Sequence, residues 1–176
     1  SVTLPAPAVT APPVPAAASL DVPGLSPLIT PNADFYRIDT ALRVPSLSTT
    51  EWRLRIHGMV EREIELDWQA LVDREARERI VTLTCVSNEV GGDLVGTATW
   101  TGFPIADLLA ESGPLPGADM LLSTSVDGWT AGTPLEALTD GRDALLAGVT
   151  LGRGQVDDGA AAPPRHFRDA EAAGQH

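Results

Sequence analysis

Cys85 is the only cysteine among the 176 residues of this chain. A single thiol cannot form a disulfide within the chain, which leaves packing, nucleophilic chemistry or metal ligation as its role. Residues 80–85 are rich in β-branched side chains, and Val81, Leu83 and Cys85 fall on one face of a predicted strand. We expect this strand to be buried and central in its sheet, with the thiol at its end beside a loop.

A glycine-rich loop and a short aromatic motif follow the thiol. Gly91, Gly92 and Gly96 would let the backbone approach a bulky ligand, and they equally suit an ordinary flexible loop. The motif Trp-x-Gly-Phe-Pro ends at Pro104, where an apolar helix begins. Two further segments, residues 30–39 and 121–130, carry polar side chains whose ordinary alternatives are a surface position and the decoration of a strand.

The order T-C-V-S-N-E, glycine loop, W-x-G-F-P and helix over residues 84–109 resembles the molybdopterin-binding domain of the sulfite oxidase family. It looks closest to the membrane-anchored actinobacterial branch of that family. Residues 30–39 are similar to the family segment in which an Asn and a Phe-Tyr pair approach the pterin. Residues 121–130 are similar to the strand whose hydroxyl groups face the cofactor, so the similarity extends over roughly residues 22–147.

The resemblance implies a molybdenum–molybdopterin cofactor and an oxidoreductase that transfers an oxygen atom or electrons to a small-molecule substrate, with a redox partner. It assigns Cys85 as the thiolate ligand of the metal and as the catalytic residue. A soft thiolate suits a metal already held by dithiolene sulfurs, and the cofactor itself carries the redox chemistry. Arg37 is the cation placed nearest the pterin phosphate. The implied cofactor-binding residues are Asn32, Tyr36, Arg37, Ser123, Thr124 and Ser125.

The secondary-structure signals predict an α+β domain with a mixed, largely antiparallel sheet and short helices, an incomplete form of the sulfite oxidase molybdopterin-binding fold. Helix starts are expected at Asp67, at Pro104 and at a capping box that begins with Thr133. Residues 75–79 mix charges densely, which favours a solvated helix end or loop. The predicted strands cover residues 52–57, 63–66, 80–85, 120–125 and 144–150.

Composition indicates one globular domain, disfavours a nucleic-acid site and excludes one kind of phosphate loop. The chain is 43% hydrophobic and 20% charged, with a net charge of −12. This acidity disfavours nucleic-acid binding, which requires phosphate neutralisation. All 12 basic residues are arginines, so a phosphate loop of the Gly-Lys-Ser/Thr type is absent from the sequence.

Residues 1–22 differ from the rest, because the first twenty are uncharged and rich in Ala and Pro. Prolines at this density prevent a membrane helix and favour an extended linker. We expect a linker that tethers the folded domain, residues 23–147, to the extracytoplasmic face of the cell membrane, through an anchor outside this chain. The domain would meet the membrane only through such segments.

Residues 148–176 are rich in Gly and Ala, show no apolar period, and are predicted to be a disordered tail. In this stretch the chain departs from the family motifs that bind the pterin phosphate. A second hypothesis is therefore a truncated or degenerate, non-catalytic binding module that cannot hold the cofactor. A third is a Cys-His hydrolase that pairs Cys85 with His57, although no nucleophile motif surrounds the thiol.

Overall fold

The computed structural model describes residues 4–20, 22–38, 47–150 and 167–173. Within these ranges the chain forms an α+β structure of strands and short helices, as predicted. The strands are β1 Arg53–Gly58, β2 Ile64–Asp67, β3 Arg77–Thr84, β4 Val95–Pro104, β5 Met120–Ser125, β6 Thr130–Pro134, β7 Leu145–Thr150 and β8 Phe167–Ala173. The helices are α1 Trp68–Val72, α2 Ile105–Ser112 and α3 Leu135–Thr139.

The larger sheet has five strands in the order β2-β1-β8-β5-β6. Its neighbouring strands are antiparallel except for β1 and β8, which run parallel. Alternation along β1 buries Leu54 and Ile56, whereas Arg53 and Arg55 are exposed. The predicted strand over residues 52–57 is confirmed, and it supplies one wall of the hydrophobic core.

The predicted starts of two helices are also observed. The Asp67 side chain caps α1 by accepting a hydrogen bond from the Ala70 N–H at 2.8 Å. α2 follows Pro104 and ends at Gly113, whose φ of 66° suits glycine. The capping box predicted at Thr133 is wrong: Pro134 is the N-cap of α3 without a side-chain cap, because Thr133 is held in β6 opposite Leu121.

The smaller sheet is antiparallel, in the order β3-β4-β7. β3 is therefore an edge strand, and the expectation of a central, buried strand is wrong. Val81 and Leu83 are 38% and 40% exposed, opposite the small residues Ala98 and Gly96. β-Branched residues fit any pleated surface, so their propensity does not distinguish a sheet edge from a sheet centre.

The first residues of β3 were expected in a solvated helix end or loop, and this expectation is wrong for Arg77 and Arg79. Arg79 Nε donates to Asp143 Oδ2 at 2.8 Å, and Arg77 Nη1 lies 3.6 Å from Asp143 Oδ1. Asp143, with φ 57°, sits in the turn before β7. The charges that looked solvent-directed in sequence instead join β3 to that turn.

The expectation of a disordered tail over residues 148–176 is wrong where the structure describes it. β7 continues to Thr150, and β8 lies between β1 and β5 in the larger sheet. Ala170 and Ala172 are buried in β8 with 6% and 1% exposure. Small side chains give a weak hydrophobic pattern, so the sequence alone does not predict this strand. Residues 151–166 and 174–176 lie outside the described residues.

The proline-rich start was expected to be a linker, yet part of it lies along β3. The Ala8 N–H donates to the Ala76 carbonyl at 2.9 Å, and the Glu78 N–H donates to the Val9 carbonyl at 2.8 Å. Leu4 packs against the core. In the described part of the chain, no helix is long and apolar enough to cross a membrane.

Candidate functional site

Cys85 directly follows β3 and opens a loop that returns to β4. Its N–H donates to the Leu94 carbonyl at 2.9 Å, which closes the loop at its base. Inside the loop, Asn88 N–H donates to the Cys85 carbonyl at 3.0 Å, and Asn88 Oδ1 accepts from the Leu94 N–H at 2.8 Å. Asn88 thus fixes the loop at both ends, through its backbone N–H and its side-chain oxygen. The thiol therefore lies on a loop with a defined conformation.

The thiol of Cys85 is half-buried and lies 3.1 Å from the Ser87 hydroxyl. Hydrogen bonds from the Ser87 hydroxyl, and then from the backbone N–H groups of Ser87 and Val86, hold the pKa of the Cys85 thiol below its ordinary value. Partial burial opposes this lowering. A thiolate, rather than a thiol, is the form that ligates metals.

An aromatic segment packs beside the thiol from the other side of β4. Thr30 anchors it, because its N–H donates to the Thr97 carbonyl at 2.8 Å and its hydroxyl accepts from the Thr97 N–H at 3.1 Å. Phe35 lies over Gly96, where a Cβ would come within 2.7 Å of the ring. The Phe35 ring meets Trp100 edge-on, with centroids 5.8 Å apart. Gly96 is therefore required for this close approach.

Tyr36 is the predicted site residue that the structure brings to Cys85. Its ring stacks on Phe35 with centroids 5.3 Å apart. Burial raises the pKa of Tyr36, and the negative charge of Cys85 raises it further. The charge of the Cys85 thiolate therefore acts on the Tyr36 phenol.

The other predicted site residues are more dispersed. Asn32 is half-buried in a 3-10 turn, and Arg37 is exposed. Asp39, the last residue of the segment predicted to approach the pterin, lies outside the described residues. The predicted hydroxyl groups lie on β5 in the larger sheet, and none of their described contacts involves Cys85. These are the half-buried Ser123 and Thr124 and the buried Ser125.

Ser125 is 2% exposed, and its hydroxyl has no hydrogen-bond partner among the described residues. A buried hydroxyl without a partner costs stability, which is a reason to expect a ligand group or water at this position. His57 lies on β1 in the larger sheet, whereas Cys85 follows β3 of the smaller sheet, and no described contact joins them, so the structure gives no support to the hydrolase hypothesis.

The residues around the thiol fit the metal end of a molybdopterin. No group of three His, Cys, Asp or Glu side chains is poised to hold a metal within the described residues. Cys85 thus offers one soft donor, which suits a metal that arrives with its own sulfur ligands. Few cations are available for the phosphate end of the pterin. No basic residue occurs between Arg79 and Arg142, and Arg37 is the cation of the aromatic segment.

The sequence motifs do not single out two residues that contribute to the site. Ser87 lowers the thiol pKa and Asn88 fixes the loop. Their position two and three residues after the thiol, before a glycine pair, was a usable signal, because Ser and Asn side chains bond nearby backbone groups in turns.

Comparison with known proteins agrees with this geometry. A family model described as "Oxidoreductase molybdopterin binding domain" matches residues 41–153. The nitrate reductase [NADH] of Spinacia oleracea is 28% identical over 100 residues, which cover 48% of this chain and 11% of that protein. The crystal structure of the sulfane dehydrogenase SoxCD from Paracoccus pantotrophus superposes with a TM-score of 0.68 and 21% identity, and covers 84% of this chain.

The chain spans less than half of either relative: 11% of the nitrate reductase and 44% of the sulfane dehydrogenase chain. The structural likeness establishes the fold, and the family model covers more than half of this chain. The chain therefore belongs to the oxidoreductase molybdopterin binding domain family, as its resemblance to the sulfite oxidase family predicted.

Proposed function

We propose that this chain is a molybdopterin-dependent oxidoreductase domain in which Cys85 is the thiolate ligand of molybdenum. The observation that carries the proposal is the pairing of the family match with a half-buried thiol of lowered pKa on a preformed loop. A bound molybdopterin would supply oxygen-atom or electron transfer, and the protein would supply binding and orientation.

In this proposal the residues of the chain have separate tasks. Ser87 lowers the pKa of the Cys85 thiol and so favours the deprotonated sulfur that ligates a metal. Asn88 holds the loop that sets the direction of the sulfur. The Tyr36 hydroxyl stays protonated because of its raised pKa, and it is a hydrogen-bond donor at the site. The buried Ser125 hydroxyl, which has no partner among the described residues, is proposed for a second contact with the cofactor.

The substrate and the electron carrier are proposed only by class. The two relatives are named a nitrate reductase and a sulfane dehydrogenase, and both names describe redox reactions of small molecules. We extend to this chain a small-molecule substrate and a redox partner. The membrane-anchored actinobacterial branch is a finer proposal, supported by the order of motifs over residues 84–109.

The test is to measure molybdenum and pterin in the purified protein and in Cys85→Ser. We expect close to one molybdenum per chain in the natural sequence and its loss in Cys85→Ser. Ser26→Ala, at an exposed position, is the control and should keep its metal. If the natural chain folds but holds neither molybdenum nor pterin, the non-catalytic module is the correct interpretation.

Location is a separate proposal, in which the domain works on the extracytoplasmic face of a membrane. Its support is the composition of residues 1–20, which are uncharged and rich in proline as spacer segments are, although Ala8 bonds to Ala76 and Val9 to Glu78 of β3. A fusion of the full gene product to alkaline phosphatase, which is active only outside the cytoplasm, should be active. An inactive fusion that is stably expressed would contradict this location.

A further inference from the structure

Within the part of the chain that the structure describes, the outer edge of β3 has backbone groups without a partner. β3 lies at the margin of its sheet, with Thr82 opposite Thr97 of β4. Thr97 directs both its N–H and its C=O to Thr30. Thr82 therefore does not bond to β4 through its backbone, and its N–H and C=O point outward.

The alternation of an antiparallel ladder turns Ile80 and Thr84 outward as well. The same edge is used at Glu78, whose N–H donates to the Val9 carbonyl. That pairing cannot continue, because Pro12 and Pro13 have no N–H. Among the described residues, nothing pairs with the outer edge over residues 80–84.

The side chains along this edge favour association. The stretch Ile-Val-Thr-Leu-Thr carries no charge in a chain whose net charge is −12. Val81 and Leu83 are more than one-third exposed. Uncharged, β-prone edges without proline are templates for pairing with another strand.

We propose that β3 pairs with β3 of a second copy of this chain, antiparallel about a two-fold axis at Thr82. In this register Ile80 faces Thr84 of the partner subunit, and the outward groups form about six hydrogen bonds. Val81 lies opposite Leu83 of the partner subunit, and this apolar pair occurs twice. A second copy fits better than a charged peptide, since the edge has no charge to complement and is complementary to itself.

Sedimentation velocity over a range of protein concentrations tests the association. We expect a monomer–dimer equilibrium that strengthens with salt, because salt screens the repulsion between two acidic chains. Leu83→Lys should weaken dimerisation by about tenfold or more, since it replaces both apolar Val81–Leu83 pairs with a charge against a valine. Leu115→Lys is the matched control, because Leu115 is 39% exposed in the loop after α2. A protein that stays monomeric, or an equal effect of both substitutions, overturns the proposal.

The register has its own test, made possible by the single cysteine. In a Cys85→Ser background, Thr82→Cys should form a disulfide-linked dimer under mild oxidation, because hydrogen-bonded partners have Cα atoms about 5.5 Å apart. Thr130→Cys, at an exposed position of β6, should not. Equal cross-linking of the two variants, or none at Thr82→Cys, contradicts pairing at Thr82.

Discussion

The two sheets of this molecule differ in how their strands contribute to the buried core. In the five-stranded sheet, β1, β2, β5 and β8 all contribute side chains to one buried cluster. In the three-stranded sheet, the end of β3 next to Cys85 is exposed over residues 81–84. The proposed metal ligand therefore follows an exposed strand end of the smaller sheet, whereas four strands of the larger sheet contribute to the buried cluster.

The largest expected effect separates the sheets by burial. Leu54→Ala in β1 should lower the free energy of unfolding by about 3 kcal/mol, because Leu54 is 3% exposed. Leu83→Ala in β3 should cost less than about 1 kcal/mol, since Leu83 is 40% exposed. Urea unfolding followed by tryptophan fluorescence measures both, and equal costs would contradict the division.

A second comparison concerns one glycine in a strand of each sheet. A Cβ at Gly102 in β4 would lie 2.6 Å from the Leu146 carbonyl oxygen, whereas one at Gly132 in β6 would meet the flexible Met120 side chain. Gly102→Ala should cost about 2 kcal/mol of unfolding free energy, and Gly132→Ala about 1 kcal/mol or less. Thermal unfolding of the two variants would show the order, and the reverse order would mean that β4 and β7 separate easily.

The ion pairs that join β3 to the turn before β7 should have a smaller effect. Asp143→Asn removes the charge that faces Arg77 and Arg79 and should cost about 1 kcal/mol at low salt. Asp140→Asn, which affects the exposed pair with Arg142, should cost less. Urea unfolding at low and high salt checks both, and a salt-independent cost at Asp143 would exclude the ion pairs as its cause.

The smallest and most local effect is expected at the thiol, where the reactivity of Cys85 should change rather than the stability of the fold. Because hydrogen bonds from Ser87 lower the thiol pKa, Cys85 should be alkylated by iodoacetamide at a lower pH than the same thiol in the denatured chain. Ser87→Ala should move the midpoint of the rate–pH profile upward, and Ser26→Ala should leave it unchanged. A midpoint unaffected by Ser87→Ala would assign the low pKa to the backbone alone.

Much of the fold was predictable because its local signals are strong. The alternation around Leu54, the cap at Asp67 and the glycine stop at Gly113 are all observed as predicted. The edge position of β3 and the existence of β8 were not predicted. Both depend on pairing between segments distant in sequence, and the alanines of β8 carry little hydrophobic pattern.

The candidate site was predictable in part. The charge of Cys85 acts on Tyr36, whereas Ser123, Thr124 and Ser125 lie in the larger sheet; the cofactor-binding roles of these residues stay predictions. A sequence motif identifies which residues share a function, and it does not measure the distance between two sheets. Ser87 acts through a hydrogen bond to its near neighbour, which only coordinates show.

The place of β8 in the larger sheet has a consequence for biosynthesis. β8 separates β1 from β5, so both strands keep an open edge until residue 173 has left the ribosome. At a synthesis rate of about 5–20 residues per second, β1 lacks its parallel neighbour for on the order of ten seconds. During that time the nascent chain exposes β1 to other unfolded chains, and chaperone binding should matter most in this interval.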